Sequence, residues 1–202
     1  MKRARNQQIA TGKSYLSAEY DWQYDANGDR PSSAQPPEPN WLRNLLGSSF
    51  FDTVVSVAIG CIPVTDAELE DLRGLEQLET LVFWDSRITP GSLRQLKGFP
   101  KLSQLIFRAY IPHAGLEQFK DMARLRTLAL DDFNINDADL EVIGGLTQVT
   151  RLSLLRSQVT DAGLEHLKGM TQLQHLYIGH GRISDEGVAK LQKALPNCEI
   201  ER

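Results

Sequence analysis

One set of side chains in this 202-residue sequence could come together as metal ligands. His175, His180 and Glu199 could bind a metal ion together, because imidazole and carboxylate groups are common ligands of Zn²⁺ and similar ions. His175 also fits a column of surface side chains between Arg151 and Glu199, where it would need no metal. The simpler interpretation is a surface charge column, and we predict no metal site.

Enzyme signatures are missing from the sequence. It contains no G-x-S-x-G nucleophile turn, no G-x-x-x-x-G-K-[ST] phosphate loop and no H-E-x-x-H helix. Cys61 and Cys198 are the only cysteines, and they form no Cys-x-x-Cys pair that would indicate redox chemistry or zinc. These absences predict a protein with no catalytic residue and no cofactor.

The charge balance bears on the class of partner. Lys and Arg number 22 against 26 Asp and Glu, which gives a net charge of −4, and the basic residues are scattered among acids. This argues against a nucleic-acid partner, since phosphate binding requires a basic surface. The longest apolar stretch, 50–64, is too short to cross a bilayer. We expect no membrane span in this chain and a cytoplasmic location, while a form tethered through an upstream helix stays open.

An internal repeat organises the chain after residue 53. One apolar position recurs at intervals of 24, 24, 23, 24 and 24 residues, at Val54, Leu78, Leu102, Leu125, Val149 and Leu173. The local pattern L-x-x-L-x-L alternates over its last residues, as expected for a short strand with one buried face. The rest of each unit has helical spacing, with Leu164, Leu167 and Met170 as one example, and Thr160 or Ser184 can cap such a helix.

These features resemble the leucine-rich repeat family, in its strand-plus-helix subtype found in ribonuclease-inhibitor-like and bacterial, including planctomycete-type, proteins. The resemblance covers about residues 53–200 and implies an α/β fold, a right-handed β-α solenoid or horseshoe with a parallel sheet on its concave face. It assigns residues 53–202 to about six 24-residue repeats. The Asn or Cys that often follows the strand in this family is missing here, so we expect mostly backbone hydrogen bonds to hold the turns after the strands.

Residues 1–52 differ from the repeats in composition. They hold seven of the 15 aromatic residues and a proline-rich connector over 31–39. Alternation from Leu16 to Tyr24 predicts a strand, and residues 2–10 could form a short helix. We interpret this segment as an N-terminal cap, because a solenoid needs its first apolar face covered. A peptide-like docking segment is the alternative.

An apolar patch at positions that should face solvent is the strongest candidate for a functional site. Outward-facing positions of neighbouring strands place Val82, Trp84, Ile106 and Arg108 together. Trp and Arg are also common in binding hot spots. We predict a partner-binding face centred on these four residues and extended by Asp131, Asp132, Arg151, Leu155, Arg156 and Tyr177. The competing interpretation is intramolecular, with Trp84 over Arg108 and Arg108 paired with Asp131.

The third repeat departs from the pattern of the others. It is one residue shorter and begins with Pro112-His113 instead of Thr-Asp. Tyr110 and His113 therefore become candidate contact residues, although a deletion without functional meaning is the simpler interpretation.

The sequence thus predicts non-catalytic protein–protein recognition through the concave sheet face, with a protein partner of unknown identity. The alternative is a structural or membrane-proximal spacer that self-associates through its cap or its helix face. The oligomeric state stays open, because fold-level analogy does not determine it.

Overall fold

The structure is a computed structural model that describes residues 9–10, 13–19, 54–60, 63–64, 69–70, 72–73, 75–131, 134–179 and 182–202. Its strands belong to one sheet. They are β1 (Ile9–Ala10), β2 (Lys13–Glu19), β3 (Val54–Gly60), β4 (Pro63–Val64), β5 (Thr80–Ile88), β6 (Gln104–Tyr110), β7 (Thr127–Leu130), β8 (Arg151–Leu154), β9 (His175–Ile178) and β10 (Glu199–Glu201).

The sheet follows the order of the chain, as the predicted solenoid requires. Its strand order is β1-β2-β3-β5-β6-β7-β8-β9-β10, and β4 pairs with β5 beside this path. Only β1 and β2 pair antiparallel, while every other described pair is parallel. From β3 onward, each strand on this path comes from a successive repeat and lies beside the strand of the next. The predicted parallel strand-plus-helix solenoid is confirmed.

The described part of the N-terminal segment extends this sheet. Strand β2 pairs in parallel with β3, so the predicted strand over 16–24 is confirmed for residues 16–19, while 20–24 lie outside the described residues. The predicted helix over 2–10 is wrong at its end, because Ile9–Ala10 is a strand. Residues 2–8 and 20–52 lie outside the described residues, and the interpretation of the segment as a cap stays a prediction.

Helical segments connect the strands on one side of the sheet. The α-helices of the described residues are Pro90–Gln95, Asp137–Ile143, Asp161–Leu164 and Asp185–Ala194, and 3₁₀ segments cover Leu96–Gly98, His113–Asp121 and Glu165–Gly169. The third repeat has a 3₁₀ helix alone. Pro112 precedes it and has no side chain that could accept a capping hydrogen bond, whereas Thr160 and Ser184 cap the helices of later repeats as predicted.

The core lies between the sheet and the helical segments. The inward column of the strands is fully buried and consists of Leu81, Leu105, Leu128, Leu152 and Leu176. Helix residues such as Leu93, Leu140 and Leu164 belong to the same buried cluster. The opposite face of the sheet, which was predicted to be concave, has no helix of the described residues on it and is called the open face below.

Aspartates at the helix starts join neighbouring repeats. Asp137 accepts hydrogen bonds from the backbone N–H and the hydroxyl of Thr160, at 2.7 and 2.6 Å. Asp161 accepts the same pair from Ser184, at 2.8 and 2.6 Å. This side-chain ladder at the helix starts adds to the backbone hydrogen bonds that were expected to hold most of the turns after the strands.

A glycine two residues after the aspartate at a helix start makes room for this ladder. A Cβ atom added at Gly163 would lie 2.3 Å from Oδ1 of Asp137, and one added at Gly187 would lie 2.3 Å from Oδ1 of Asp161. Such distances are far below van der Waals contact. Each aspartate therefore requires glycine in the following repeat.

Between the third and fourth repeats, the two positions of this Asp–Gly pair are occupied by His113 and Asp139 instead. His113 stands 24 residues before Asp137, and Asp139 stands 24 residues before Gly163. Nδ1 of His113 lies 2.6 Å from Oδ1 of the buried Asp139, whose Oδ2 accepts the backbone N–H of Asn136. The sequence departure at Pro112-His113 thus has a structural role, because His113 is the partner of Asp139.

The ladder predicts a pH-dependent contribution to stability at Asp161. Hydrogen bonds from Ser184 lower the pKa of the Asp161 carboxyl below 3.8, and the positive charges of Lys190 and Arg202 lower it further. A lowered folded-state pKa stabilises the fold above the unfolded-state pKa, and this contribution disappears as pH falls through the folded-state value. We expect Asp161→Asn to be less stable than wild type at neutral pH and the difference to narrow below pH 3.8. Urea denaturation across this range measures the difference, and a gap that is constant with pH would contradict the prediction.

Candidate functional site

The register of the sheet brings the predicted patch residues together on the open face. Val82 pairs with Ile106, and Trp84 pairs with Arg108, across strands β5 and β6. Arg151 pairs with His175 and Tyr177 pairs with Ser153 on β8 and β9. The columns predicted from the repeat period are therefore confirmed, because each repeat contributes one strand in the same register.

A pocket of about 470 Å³ lies beside the middle of β5 and the carboxyl ends of β6 to β8. It is lined by Trp84, Arg108, Asp131, Leu155 and Arg156. Trp84 and Leu155 are large apolar side chains with 43% and 46% of their surface exposed. All five lining residues were predicted members of the binding face.

Trp84 and Arg108 form one wall of the pocket. The guanidinium carbon of Arg108 lies 4.5 Å from the centroid of the Trp84 ring, which is cation–π geometry. This part of the competing intramolecular interpretation is confirmed. The contact holds both side chains in defined positions on two rigid strands.

Asp131 builds the floor of the pocket instead of pairing with Arg108. Its Oδ1 accepts hydrogen bonds from the Ser153 hydroxyl at 2.6 Å and from the backbone N–H of Leu155 at 3.4 Å. Within the described residues no ion pair joins Asp131 to Arg108, so the proposed Arg108–Asp131 pair is wrong. Sequence reasoning missed Ser153, whose only signal is that its column lies beside that of Asp131.

The turn after β8 supplies the opposite wall. Nε of Arg156 donates a hydrogen bond to the backbone carbonyl of Asp131 at 3.1 Å. Gly179 allows the end of β9 to approach this turn, since a Cβ atom there would lie 2.2 Å from the Leu155 carbonyl oxygen. Leu155 and Arg156 are thereby fixed beside the pocket.

The remaining predicted residues surround the pocket without lining it. Val82, Ile106 and Tyr177 are half-buried, and Arg151 is exposed. The patch is therefore less apolar at its surface than predicted, and its exposed centre lies nearer the carboxyl ends of the strands. Asp132 lies outside the described residues.

The candidate metal ligands are only partly described. Nδ1 of His175 lies 3.2 Å from Oε2 of Glu199, and His180 lies outside the described residues. Among the residues that the structure describes, no group of three or more His, Cys, Asp or Glu side chains is arranged to hold a metal ion. Cys198 is a free, buried thiol, and its burial raises its pKa.

No helix within the described ranges has the length and apolar character needed to cross a membrane.

Comparison with known proteins identifies the class of fold. No protein-family model matches the chain, and no curated protein matches it. Solved structures do match. An internalin from Listeria monocytogenes is 16% identical with a TM-score of 0.51, over 77% of this chain and 50% of the internalin.

Two further structures give the same result. A leucine-rich repeat protein from Leptospira interrogans is 20% identical with a TM-score of 0.50, over 75% of this chain and 38% of that protein. TLR13, in a complex with ssRNA13, is 15% identical with a TM-score of 0.50, over 78% of this chain and 27% of TLR13. The chain thus has the leucine-rich repeat fold and spans half or less of the length of these structures.

Proposed function

We propose that this chain is a non-catalytic recognition module that binds a partner protein in the pocket on its open face. The exposure of Trp84 and Leu155 beside two arginines carries the proposal. Exposed large apolar side chains next to arginine are typical of residues that dominate protein–protein affinity.

The scaffold favours tight recognition by reducing the entropy lost on binding. Trp84 and Arg108 are held by paired strands and by their mutual contact, and Asp131 fixes the turn that carries Leu155. Side chains that are already ordered lose little conformational freedom when a partner binds. The pocket is therefore built before the partner arrives.

The proposal is tested by affinity capture from a native lysate of the source organism on the immobilised full chain. We expect one protein to be retained by wild type and lost from Trp84→Glu, because the substitution removes the ring and places a carboxylate beside Arg108. The control is Arg94→Glu on the exposed side of helix Pro90–Gln95, which should retain the same protein. Circular dichroism confirms that each variant is folded. Retention of the same proteins by wild type and Trp84→Glu would contradict the proposal.

A further inference from the structure

We infer that the pocket recognises a carboxylate side chain, Asp or Glu, that stands beside a bulky apolar residue in the partner protein. This inference rests on the proposed function and specifies the chemistry of the partner. Arg108 carries it. Arg108 makes no ion pair and no hydrogen bond within the part of the chain that the structure describes, and its guanidinium lies on Trp84.

A stacked guanidinium is well suited to bind a carboxylate. The ring covers one face of the planar group, while the N–H donors lie in its plane and point away from the ring. A carboxylate can accept two parallel hydrogen bonds from this edge, which makes the contact both strong and directional. The stack also fixes the orientation of Arg108 before binding.

The other charges of the pocket favour a single negative charge. Asp131 is 9% exposed, and its Oδ1 is already bonded to Ser153 and Leu155. Arg156 adds a second guanidinium, which its bond to the Asp131 carbonyl holds in place. The lining residues therefore carry two positive charges and one negative charge, and the negative charge is on the nearly buried Asp131. A single carboxylate would neutralise the net positive charge of these lining residues, so its binding is electrostatically favourable.

The apolar surface defines the neighbour of that carboxylate. Trp84 and Leu155 face the pocket from opposite walls and are nearly half exposed. A large apolar side chain of the partner would bury both, and burial of apolar surface provides most of the binding energy. The volume of about 470 Å³ accommodates a short peptide segment with one acidic and one bulky side chain.

The test uses a displayed library of random dodecapeptides selected on the full chain. We expect the enriched peptides to carry Asp or Glu beside a bulky apolar residue. Fluorescence anisotropy with synthetic peptides should show binding weakened about 10- to 100-fold by Arg108→Gln, which corresponds to about 1.4–2.8 kcal/mol. Changing the peptide's acid to its amide should cause a similar loss. Arg94→Gln, an exposed arginine on a helix, should leave the affinity unchanged.

The outcomes separate this inference from the proposed function. Peptides that need Trp84 but lack an acid, or that bind Arg108→Gln as tightly as wild type, would contradict the inference and leave the proposed function standing. Peptides whose affinity is unchanged by Trp84→Glu would contradict both the inference and the proposed function. The absence of any enriched peptide would do the same. Tighter binding of a single-stranded RNA oligonucleotide, lost in Trp84→Glu, would also contradict both, because stacked Trp and Arg side chains can bind bases as well.

Discussion

Replacement of Phe107 by alanine is expected to lower the free energy of unfolding by about 3–5 kcal/mol. Phe107 is fully buried in the middle of the sheet. Its ring stacks on Phe83 with 4.9 Å between centroids and contacts Phe119 at 5.8 Å. Removing it opens a cavity between the second and third repeats, and the paired strands on both sides limit how far the cavity can collapse.

Tyr110→Ala provides the matched control for this prediction. Tyr110 is an aromatic residue on the same strand, but 55% of its surface is exposed. Its truncation should change the free energy of unfolding by less than about 0.5 kcal/mol. Urea denaturation followed by circular dichroism measures the free energy of unfolding of both variants. If Phe107→Ala lowers it no more than Tyr110→Ala, the claim that Phe107 is a central packing residue of the core is contradicted.

A second large effect is expected where the third and fourth repeats meet. His113→Asp would place a carboxylate against the buried carboxylate of Asp139, at a contact where the atoms now lie 2.6 Å apart. Like charges at this half-buried contact repel, and the hydrogen bond to Oδ1 is lost. We expect a loss of about 1–3 kcal/mol in the free energy of unfolding at neutral pH.

The double variant His113→Asp/Asp139→Gly should recover most of that loss. It recreates the pairing that Asp137 makes with Gly163 and Asp161 makes with Gly187. Asp139→Gly alone should also destabilise, because the backbone N–H of Asn136 loses its carboxylate acceptor. The double-mutant cycle should therefore give a coupling energy of about 0.5–3 kcal/mol. If the free-energy changes of the two single substitutions simply add in the double variant, the proposed equivalence of the His113–Asp139 pair and the Asp–Gly pairs would be contradicted.

Much of the fold could be predicted because one period determines both the strands and their register. A spacing of 24 residues places Val82 beside Ile106 and Trp84 beside Arg108 in the next repeat, and the structure pairs them in this way. The inward leucines follow from the same period. A repeat lets a single sequence pattern define contacts between residues that are distant along the chain.

The details of the candidate site depended on competition between side chains. Asp131 could pair with Arg108 or accept bonds from Ser153 and Leu155, and residue types alone do not decide between these partners. The structure favours the second arrangement because the turn after β8 brings the Leu155 N–H and the Ser153 hydroxyl to the same oxygen. This choice leaves the guanidinium of Arg108 directed at the pocket.

The contact between His113 and Asp139 could not be predicted from the sequence either. Each residue looks like an isolated departure from its own repeat, and only their contact shows that the two departures compensate. A search for paired departures at matching positions of successive repeats could have found it. The replacement of Thr-Asp by Pro112-His113 is thus matched by Asp139 at the helix start of the fourth repeat.

Amide hydrogen exchange of the full chain with and without the captured partner protein tests the central claim most directly. We predict that the partner slows exchange in β5, β6 and residues 151–156, which carry the pocket, and leaves helices Pro90–Gln95 and Asp185–Ala194 unchanged. Protection confined to the helices, with no change along the open face, would contradict the claim that this face binds the partner.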